Sequence, residues 1–268
     1  MTNLRGKSIL HLLLVILVLF IIFGPLSSLV IWSIAEEWFW PNAFPTEIGM
    51  KYWQRAMSGN IFDSFTTSFY IAVLVTVVCM LITVPVAYLI ARKRIPFRTL
   101  LLLIFLIPQA FPQLPVYTNT MRLMYKWDLV GTIPGVMIIH LVGGIVYSVW
   151  ILVSVFKSIQ PHVEEAAYVL GASKIQTFLT ISLPMALPGI ISSSLLVFLF
   201  SLDEFTGSLL IGAPFISTMP IYMYNAANGY EMQIASVIAI ILMIPGLILL
   251  LIIQKYMKAE YLSAFGRS

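Results

Sequence analysis

The side chains that could perform chemistry in this sequence are few and scattered. No apolar run contains paired carboxylates, a His-Glu metal-binding pattern or a serine with a matching base. The single cysteine, Cys79, excludes a disulfide framework and any multi-cysteine metal site. The sequence also lacks a Gly-rich loop with a lysine that would hold the phosphates of a nucleotide. It therefore predicts a protein that is not an enzyme and that carries no cofactor or metal of its own.

Two adjacent acids, Asp203 and Glu204, are the first candidates for a functional polar site beside an apolar segment. They follow an apolar run, and Gly212-Ala213-Pro214 beyond them would break any continued helix. Ionisable residues at membrane depth are costly, so they mark candidate pathways. A broken segment is tolerated at that depth where it lines a cavity. The alternative is that both acids end a helix and face water.

Further pathway candidates are the polar residues Gln109, Gln113 and Asn119. The two glutamines lie four apart, which would place them on one helical face. Tyr147, in a later apolar run, is another candidate. The alternative is that these side chains make interhelical hydrogen bonds that hold a bundle together.

Near Tyr147 the same run contains His140 and a Gly143-Gly144 pair. We expect a lone histidine in such a run to hydrogen-bond a neighbouring helix rather than carry protons. The glycine pair predicts close packing of this helix against another.

The amino-acid composition indicates which kind of secondary structure carries these candidate residues. Of the 268 residues, 60% are hydrophobic and 10% are charged, whereas soluble domains are about 45–50% apolar and about 25% charged. One aqueous core cannot bury this much apolar surface. We therefore predict an all-α integral membrane protein.

Six apolar runs are candidates for membrane spans, since roughly 20 apolar residues cross the hydrocarbon core as a helix. They cover about 9–34, 65–91, 99–117, 133–156, 188–202 and 234–253. The first run is too long for a signal peptide and predicts an uncleaved anchor. The fifth is short for a span. A single transmembrane domain over 1–268 is expected, and its longest inside loop covers about 157–187.

The charges divide between the two faces that these spans define. One face holds 11 of the 15 basic residues and three acids, and the other holds four basic residues and eight acids. The positive-inside rule places the first face, with both termini, in the cytoplasm. The basic residues of that face are Arg5, Lys7, Arg92, Lys93, Arg94, Arg98, Lys157, Lys174, Lys255, Lys258 and Arg267, and its acids are Glu164, Glu165 and Glu260. The basic pI therefore needs no nucleic-acid partner.

An aromatic cluster marks where the first span would leave the membrane. Trp32, Trp38, Phe39 and Trp40 lie close together in sequence, as amphipathic rings do at an interface. The segment 35–63 that follows is too polar to span and is predicted to be an outer loop.

The 157–187 loop contains the local pattern of two short helices separated by a break. Pro161 suits a first helical position, and Gly171 can end the helix in a left-handed conformation. Ser173 can cap a second short helix, which Pro184 and Pro188 are expected to end.

Acids and small residues are combined in the first of these helices. Glu164 and Glu165 occupy its first turn, where the helix dipole favours negative charge. Ala166, Ala167 and Leu170 would form one small-residue face, which is suited to docking into a groove on a soluble partner. An ordinary amphipathic connection between spans is the alternative.

A longer sequence pattern distinguishes this loop from an ordinary connection between spans. Glu165-Ala166-Ala167 is followed after three residues by Gly171, and after nine more by Ile181-Ser182-Leu183-Pro184. This pattern resembles the EAA loop of binding-protein-dependent ABC importer permeases, and the chain is similar to their type I members of the maltose and spermidine/putrescine kind.

The resemblance implies a type I importer permease fold in a bacterial inner membrane and a coupling role for the loop. Its coupling residues would be Glu164, Glu165, Ala166, Ala167, Gly171, Ile181, Leu183 and Pro184. The implied partners are a cytoplasmic ABC ATPase dimer, which binds ATP and Mg²⁺, a second permease subunit in a homodimer or heterodimer, and a periplasmic or lipid-anchored solute-binding protein.

The acids at 203 and 204 and the Met219-Pro220 pair resemble the spermidine/putrescine branch. A polyamine-like solute is therefore expected. Sugars, opines, phosphonates, phosphorylated metabolites and ferric iron are alternatives within the same importer class. An ion-coupled transporter or channel and a membrane-embedded hydrolase are more distant alternatives.

Overall fold

The computed structural model describes the backbone at residues 2–39, 41–93 and 95–265. Side chains are described at 11–39, 41–93, 95–249 and 251. The predictions made for Trp40 and for the charged side chains of Arg5, Lys7, Arg94, Lys255, Lys258, Glu260 and Arg267 lie outside these ranges.

Eleven α-helices, one two-stranded ribbon and two π-helical turns, Phe178–Ser182 and Ser208–Gly212, make up the described elements. The helices are α1 (Thr2–Ile34), α2 (Lys51–Ala56), α3 (Asn60–Arg92), α4 (Arg98–Ala110), α5 (Gln113–Lys126), α6 (Ile133–Ser158), α7 (Pro161–Val169), α8 (Lys174–Thr177), α9 (Leu183–Asp203), α10 (Met219–Asn228) and α11 (Met232–Phe265). The strands β1 (Ala35–Glu37) and β2 (Glu47–Ile48) pair antiparallel. Apart from this ribbon, the prediction of an all-α chain is confirmed.

Five helical segments in the described part of the chain are long and apolar enough to cross a membrane, and a bent helix pair brings the number to six. The five segments are His11–Ile34, Asn60–Arg92, Ile133–Ser158, Lys174–Asp203 and Met232–Leu249. This number agrees with the six predicted spans.

The third predicted span is not one straight helix. Helices α4 and α5 are bent by 93° relative to each other at a short break. Pro112 lies at this break, and Phe111 before it is extended, as expected for a residue that precedes proline. The prediction that Gln109 and Gln113 share one helical face is therefore wrong, because they lie on opposite sides of the bend.

The fifth span is longer than predicted. Helix continues from Lys174 to Asp203 through a π-helical turn, Phe178–Ser182. Pro184 and Pro188 do not end a short helix, so that prediction is wrong. The carbonyl that the ring of Pro184 would crowd belongs to Thr180, which lies inside the wider π turn.

The chain forms two compact units, and the prediction of a single domain stays a prediction. One unit comprises Met1–Asp63 and Tyr222–Ile244, and the other comprises Ser64–Ile221 and Pro245–Ser268. In the first unit, Trp32 stacks on Trp38 with ring centroids 4.2 Å apart, as the predicted aromatic cluster requires.

The core of the second unit lies along α6, which packs most extensively against α9. Close approach depends on the predicted glycine pair, since a Cβ atom at Gly143 would overlap the Phe200 ring and one at Gly144 would crowd Val197. Towards the end of α6, the buried Phe156 packs against Tyr88 and Phe178. Phe178 belongs to the 157–187 loop, so this aromatic cluster joins the loop to α3 and α6.

Replacing Gly143 with valine is expected to lower stability by about 1–3 kcal/mol, because overpacking displaces neighbouring side chains. Gly24→Val is the matched control, since no atom lies within 4 Å of a Cβ atom at Gly24. Thermal unfolding of both variants in detergent tests the prediction. Equal midpoints for the two variants would contradict it.

Candidate functional site

The 157–187 loop begins with α7, whose two ends have the predicted geometry. Pro161 occupies the start of the helix, and Gly171 follows its end with a φ of +87°. The amide of Gly171 donates to the carbonyl of Tyr168, and that of Ala172 donates to the carbonyl of Ala167, both at 3.0 Å. This is a Schellman motif, in which a glycine lets the chain turn sharply after the helix.

The second short helix, α8, is capped as predicted by Ser173. The Ser173 hydroxyl accepts a hydrogen bond from the Gln176 amide at 3.2 Å. The helix then continues through the π turn into α9. The loop is thus a short helix and a turn that lead directly into a membrane span.

One side of α7 is buried around the carboxylate of Glu164. Its side chain is 5% exposed, and its Oε1 accepts hydrogen bonds from Arg92 Nε at 2.8 Å and Ser182 Oγ at 2.7 Å. The Tyr88 hydroxyl donates to Oε2 at 3.4 Å. Arg92 also donates from Nη2 to the carbonyl of Ile159 at 3.0 Å.

These bonds connect three elements through one buried charge: Arg92 ends α3, Glu164 lies in α7 and Ser182 ends the π turn. A carboxylate taken out of water is strongly destabilising unless it is paired and hydrogen-bonded. The pairing therefore fixes the position of α7 relative to the ends of two membrane helices.

The other side of α7 is exposed. His162, Glu165, Ala166 and Val169 follow a helical i, i+3, i+4, i+7 spacing, and all four are exposed. Leu170, just beyond the helix, is 88% exposed and Val169 is 87% exposed. We call these five residues the α7 outer face.

The small-residue face differs from the prediction. Ala166 and Leu170 lie on the α7 outer face, but Ala167 is buried at 7% exposure. It faces the same side as Glu164, because the two are three residues apart on the helix. The remaining residues of the motif also lie elsewhere: Leu183 packs against the core near Phe156, Ile181 is half-buried and Pro184 is exposed at the start of α9.

Sequence reasoning missed the partners of Glu164. Ser182 lies within the recognised pattern, and Arg92 lies in the basic cluster that ends the second span. Nothing in the sequence indicates that either contacts Glu164, since 72 positions separate Arg92 from Glu164 and 18 separate Ser182 from it.

A further prediction follows from the left-handed conformation of Gly171. Replacing it with alanine is expected to destabilise the loop by about 1–2 kcal/mol, because a Cβ atom disfavours positive φ. No atom lies within 4 Å of a Cβ atom there, so the cost comes from the backbone alone. Gly171→Asn, which tolerates this conformation better, is the control, and thermal unfolding measures both. Equal losses for the two variants would contradict the backbone explanation.

The two acids at the end of α9 have different surroundings. Asp203 ends the helix and is exposed. Glu204 is 6% exposed, and its Oε1 accepts a hydrogen bond from the Gly207 amide at 2.8 Å. Its backbone carbonyl accepts one from the Ser208 hydroxyl at 2.8 Å. The carboxylate of Glu204 thus caps the next helical turn.

The other pathway candidates do not form one cluster. Gln109 and Gln113 are half-buried on either side of the bend, and Asn119 is exposed and donates to the Pro115 carbonyl at 2.9 Å. Tyr147 packs against the Phe200 ring.

A buried tyrosine that sequence reasoning missed, Tyr117, lies on α5 in a buried apolar cluster with Met124, Ile139 and Ile211. Tyr117 is thus part of the protein core, and the two glutamines remain on either side of the bend.

His140 is hydrogen-bonded inside the protein, as expected. Its Nδ1 lies 2.8 Å from Ser201 Oγ and its Nε2 lies 2.8 Å from Ser208 Oγ. Both ring nitrogens are therefore used to join α6 to α9 and to the turn after it. Among the described residues, no group of histidine, cysteine or acidic side chains could hold a metal ion.

Candidate spans, a bent helix pair and an exposed helical loop describe a polytopic membrane protein, and comparison with known proteins specifies its class. Residues 83–261 match the family described as binding-protein-dependent transport system inner membrane component. The trehalose/maltose transport system permease protein MalG of Thermococcus litoralis is 32% identical over 194 residues, 70% of this chain and 69% of that protein.

Two further comparisons agree with this. The molybdate/tungstate transport system permease protein WtpB of Methanocaldococcus jannaschii is 24% identical over 210 residues, 75% of this chain and 84% of that protein. The crystal structure of a bacterial alginate ABC transporter in complex with an alginate pentasaccharide-bound periplasmic protein shares the fold. Its TM-score is 0.70 at 16% identity, and 93% of each chain is covered.

The chain belongs to the family of binding-protein-dependent transport system inner membrane components. It is a permease subunit of an ABC importer and a multi-pass inner-membrane protein, and it is not an enzyme. The fold and class expected from the EAA-loop resemblance are confirmed.

Proposed function

We propose that this chain forms part of a solute pathway and couples it to a separate cytoplasmic ABC ATPase dimer through the α7 outer face. The observation that carries the proposal is the division of α7 into two sides. One side is locked to the chain's own helices by Glu164, and the other exposes Glu165, Val169 and Leu170. A rigidly held helix with exposed apolar residues can transmit movement from a partner to the spans.

Both termini and the 157–187 loop lie in the cytoplasm in this proposal. The positive-inside rule supports the assignment. The two ion pairs among the described side chains agree with the alternation of the loops: Arg55–Glu231 joins two residues assigned outside, and Arg92–Glu164 joins two assigned inside. Cysteine accessibility at position 170 in sealed vesicles tests the orientation.

A second permease subunit, identical or homologous, completes the pathway, and a binding protein outside delivers the solute. ATP and Mg²⁺ bind to the ATPase subunits. Their closure on ATP draws the two α7 helices together and turns the pathway outward, and their opening after hydrolysis returns it inward. The chain contributes the solute path, and its partner supplies the hydrolysis.

A saccharide is the solute class that we propose first. The trehalose/maltose permease is similar to this chain over most of its length, and the fold relative is an alginate ABC transporter. The polyamine expectation relied on Asp203 and Glu204 as cation ligands. Glu204 is buried and caps Gly207, so it does not present a free carboxylate to a cation.

A thermal-shift screen of the partner binding protein tests the solute class. The panel contains trehalose, maltose, alginate oligosaccharides, putrescine, spermidine, molybdate and ferric chelates. Stabilisation by a saccharide alone supports the proposal. Stabilisation by a polyamine alone would contradict it and restore the polyamine prediction, and stabilisation by an oxyanion or iron would also overturn the saccharide assignment.

A further inference from the structure

Two adjoining cavities lie in the second unit, one at the ends of membrane helices and one further along α3. The first, of about 460 Å³, is lined by Arg92, Lys93 and Lys174 together with tyrosine and apolar side chains. The second, of about 580 Å³, is lined mainly by carbon. Both include Pro85 and Phe178 in their walls, so they adjoin along one side of α3.

We propose that these cavities together hold one phospholipid with an anionic headgroup. The phosphate would lie in the first cavity, called the basic cavity, and an acyl chain would lie in the second, called the apolar cavity. This site is separate from the α7 outer face, and its proposed ligand is not the transported solute.

Charge complementarity supports the headgroup position. Arg92 is already paired with Glu164, but Lys93 and Lys174 are exposed and form no ion pair among the described side chains. No acidic residue is among those that line the basic cavity. Two uncompensated lysines therefore face the same space, and Arg92 can add further donors.

The position of these lysines along the helices favours a lipid. Lys93 directly follows α3, and Lys174 is the first residue of the candidate span Lys174–Asp203. Both thus lie at the ends of apolar helices, and basic residues at such ends are positioned to reach the headgroup region. Basic pockets between membrane helices are typical sites for anionic lipid headgroups.

The apolar cavity is suited to an acyl chain. Val77, Leu81 and Leu183 are among its lining residues. Its two hydroxyls are used internally, because Thr76 donates to the Ala72 carbonyl at 2.7 Å and Ser194 donates to the Ile191 carbonyl at 2.8 Å. The cavity therefore offers hydrocarbon contact without a polar group that needs a partner.

Lipid retention by the purified full-length chain tests the proposal. Native mass spectrometry would compare dioleoyl phosphatidylglycerol with dioleoyl phosphatidylcholine, added separately to detergent micelles. We expect preferential retention of phosphatidylglycerol, which Lys93→Gln/Lys174→Gln lowers by about fivefold for each lysine removed. Lys126→Gln/Lys157→Gln is the matched control, since both lysines are exposed and neither lines the cavity.

Equal retention of the two lipids, or an undiminished preference in the Lys93→Gln/Lys174→Gln variant, would overturn the proposal. Glycerol 1-phosphate, which has the headgroup chemistry without acyl chains, is expected to bind far more weakly. Equally tight binding would identify a site for a soluble anion instead. Loss of the lipid from the complete complex with the ATPase and second permease would assign the cavities to a protein contact.

Discussion

Replacing Glu165 with lysine is expected to leave the chain folded in the membrane and to abolish transport. Glu165 is exposed in the centre of the α7 outer face, so the substitution removes no internal contact. Loss of a charged interface contact costs about 2 kcal/mol or more, which corresponds to a loss of ATPase affinity of more than about tenfold. Co-purification of the ATPase and solute-stimulated ATP hydrolysis measure the effect.

Glu47→Lys is the matched control for this charge reversal. Glu47 is an exposed acid that the topology assigns to the opposite face of the membrane, so its variant is expected to bind the ATPase normally. Normal solute-stimulated hydrolysis in Glu165→Lys would contradict the coupling role of the α7 outer face.

Replacing Glu164 with alanine, in contrast, is expected to lower the stability of the chain itself. Any loss of ATPase binding would follow from that loss of stability. The substitution leaves Arg92 without its ionic partner, at 14% side-chain exposure, and removes the acceptor of the Ser182 hydroxyl. Breaking a buried pair from one side costs about 3–5 kcal/mol. Thermal unfolding of the detergent-solubilised chain measures the loss.

Two further variants distinguish the contribution of the Glu164 charge from that of its hydrogen bonds and packing. Glu164→Gln retains an acceptor for Ser182 and is expected to lose less stability than the alanine variant. Glu164→Leu/Arg92→Met replaces both charges and is expected to recover most of the loss, since apolar pairs substitute well for buried ion pairs. A double variant as unstable as Glu164→Ala would show that the pair itself is not the cause.

The adjacent glutamates illustrate what the sequence could and could not predict. The helix, its proline start and its glycine end follow from local chemistry, and all three are observed. The roles of Glu164 and Glu165 depend on which side of α7 meets the membrane helices, and that is set by contacts with Arg92 and Ser182, distant in sequence. Local spacing therefore predicted the loop but not its orientation.

The predictions that were wrong for the third and fifth membrane spans all concern segments that contain prolines. The extended residue Phe111 before Pro112 lets the chain bend sharply, whereas the chain passes Pro184 as continuous helix through the π turn. Both outcomes are compatible with a proline in an apolar run, because neighbouring helices can satisfy the freed backbone groups in a membrane. Packing decides between them, so the pathway glutamines could not be placed from spacing alone.

The most direct test of the central claim is cysteine cross-linking between the chain and its ATPase in native membranes. Leu170→Cys places a thiol on the α7 outer face, Ala167→Cys places one on the buried side, and the native Cys79 is buried. With a short bifunctional maleimide, we predict a permease–ATPase adduct for Leu170→Cys and none for Ala167→Cys. An adduct from Ala167→Cys alone, or none from Leu170→Cys with or without ATP, would contradict the proposal that this face couples the importer to ATP hydrolysis.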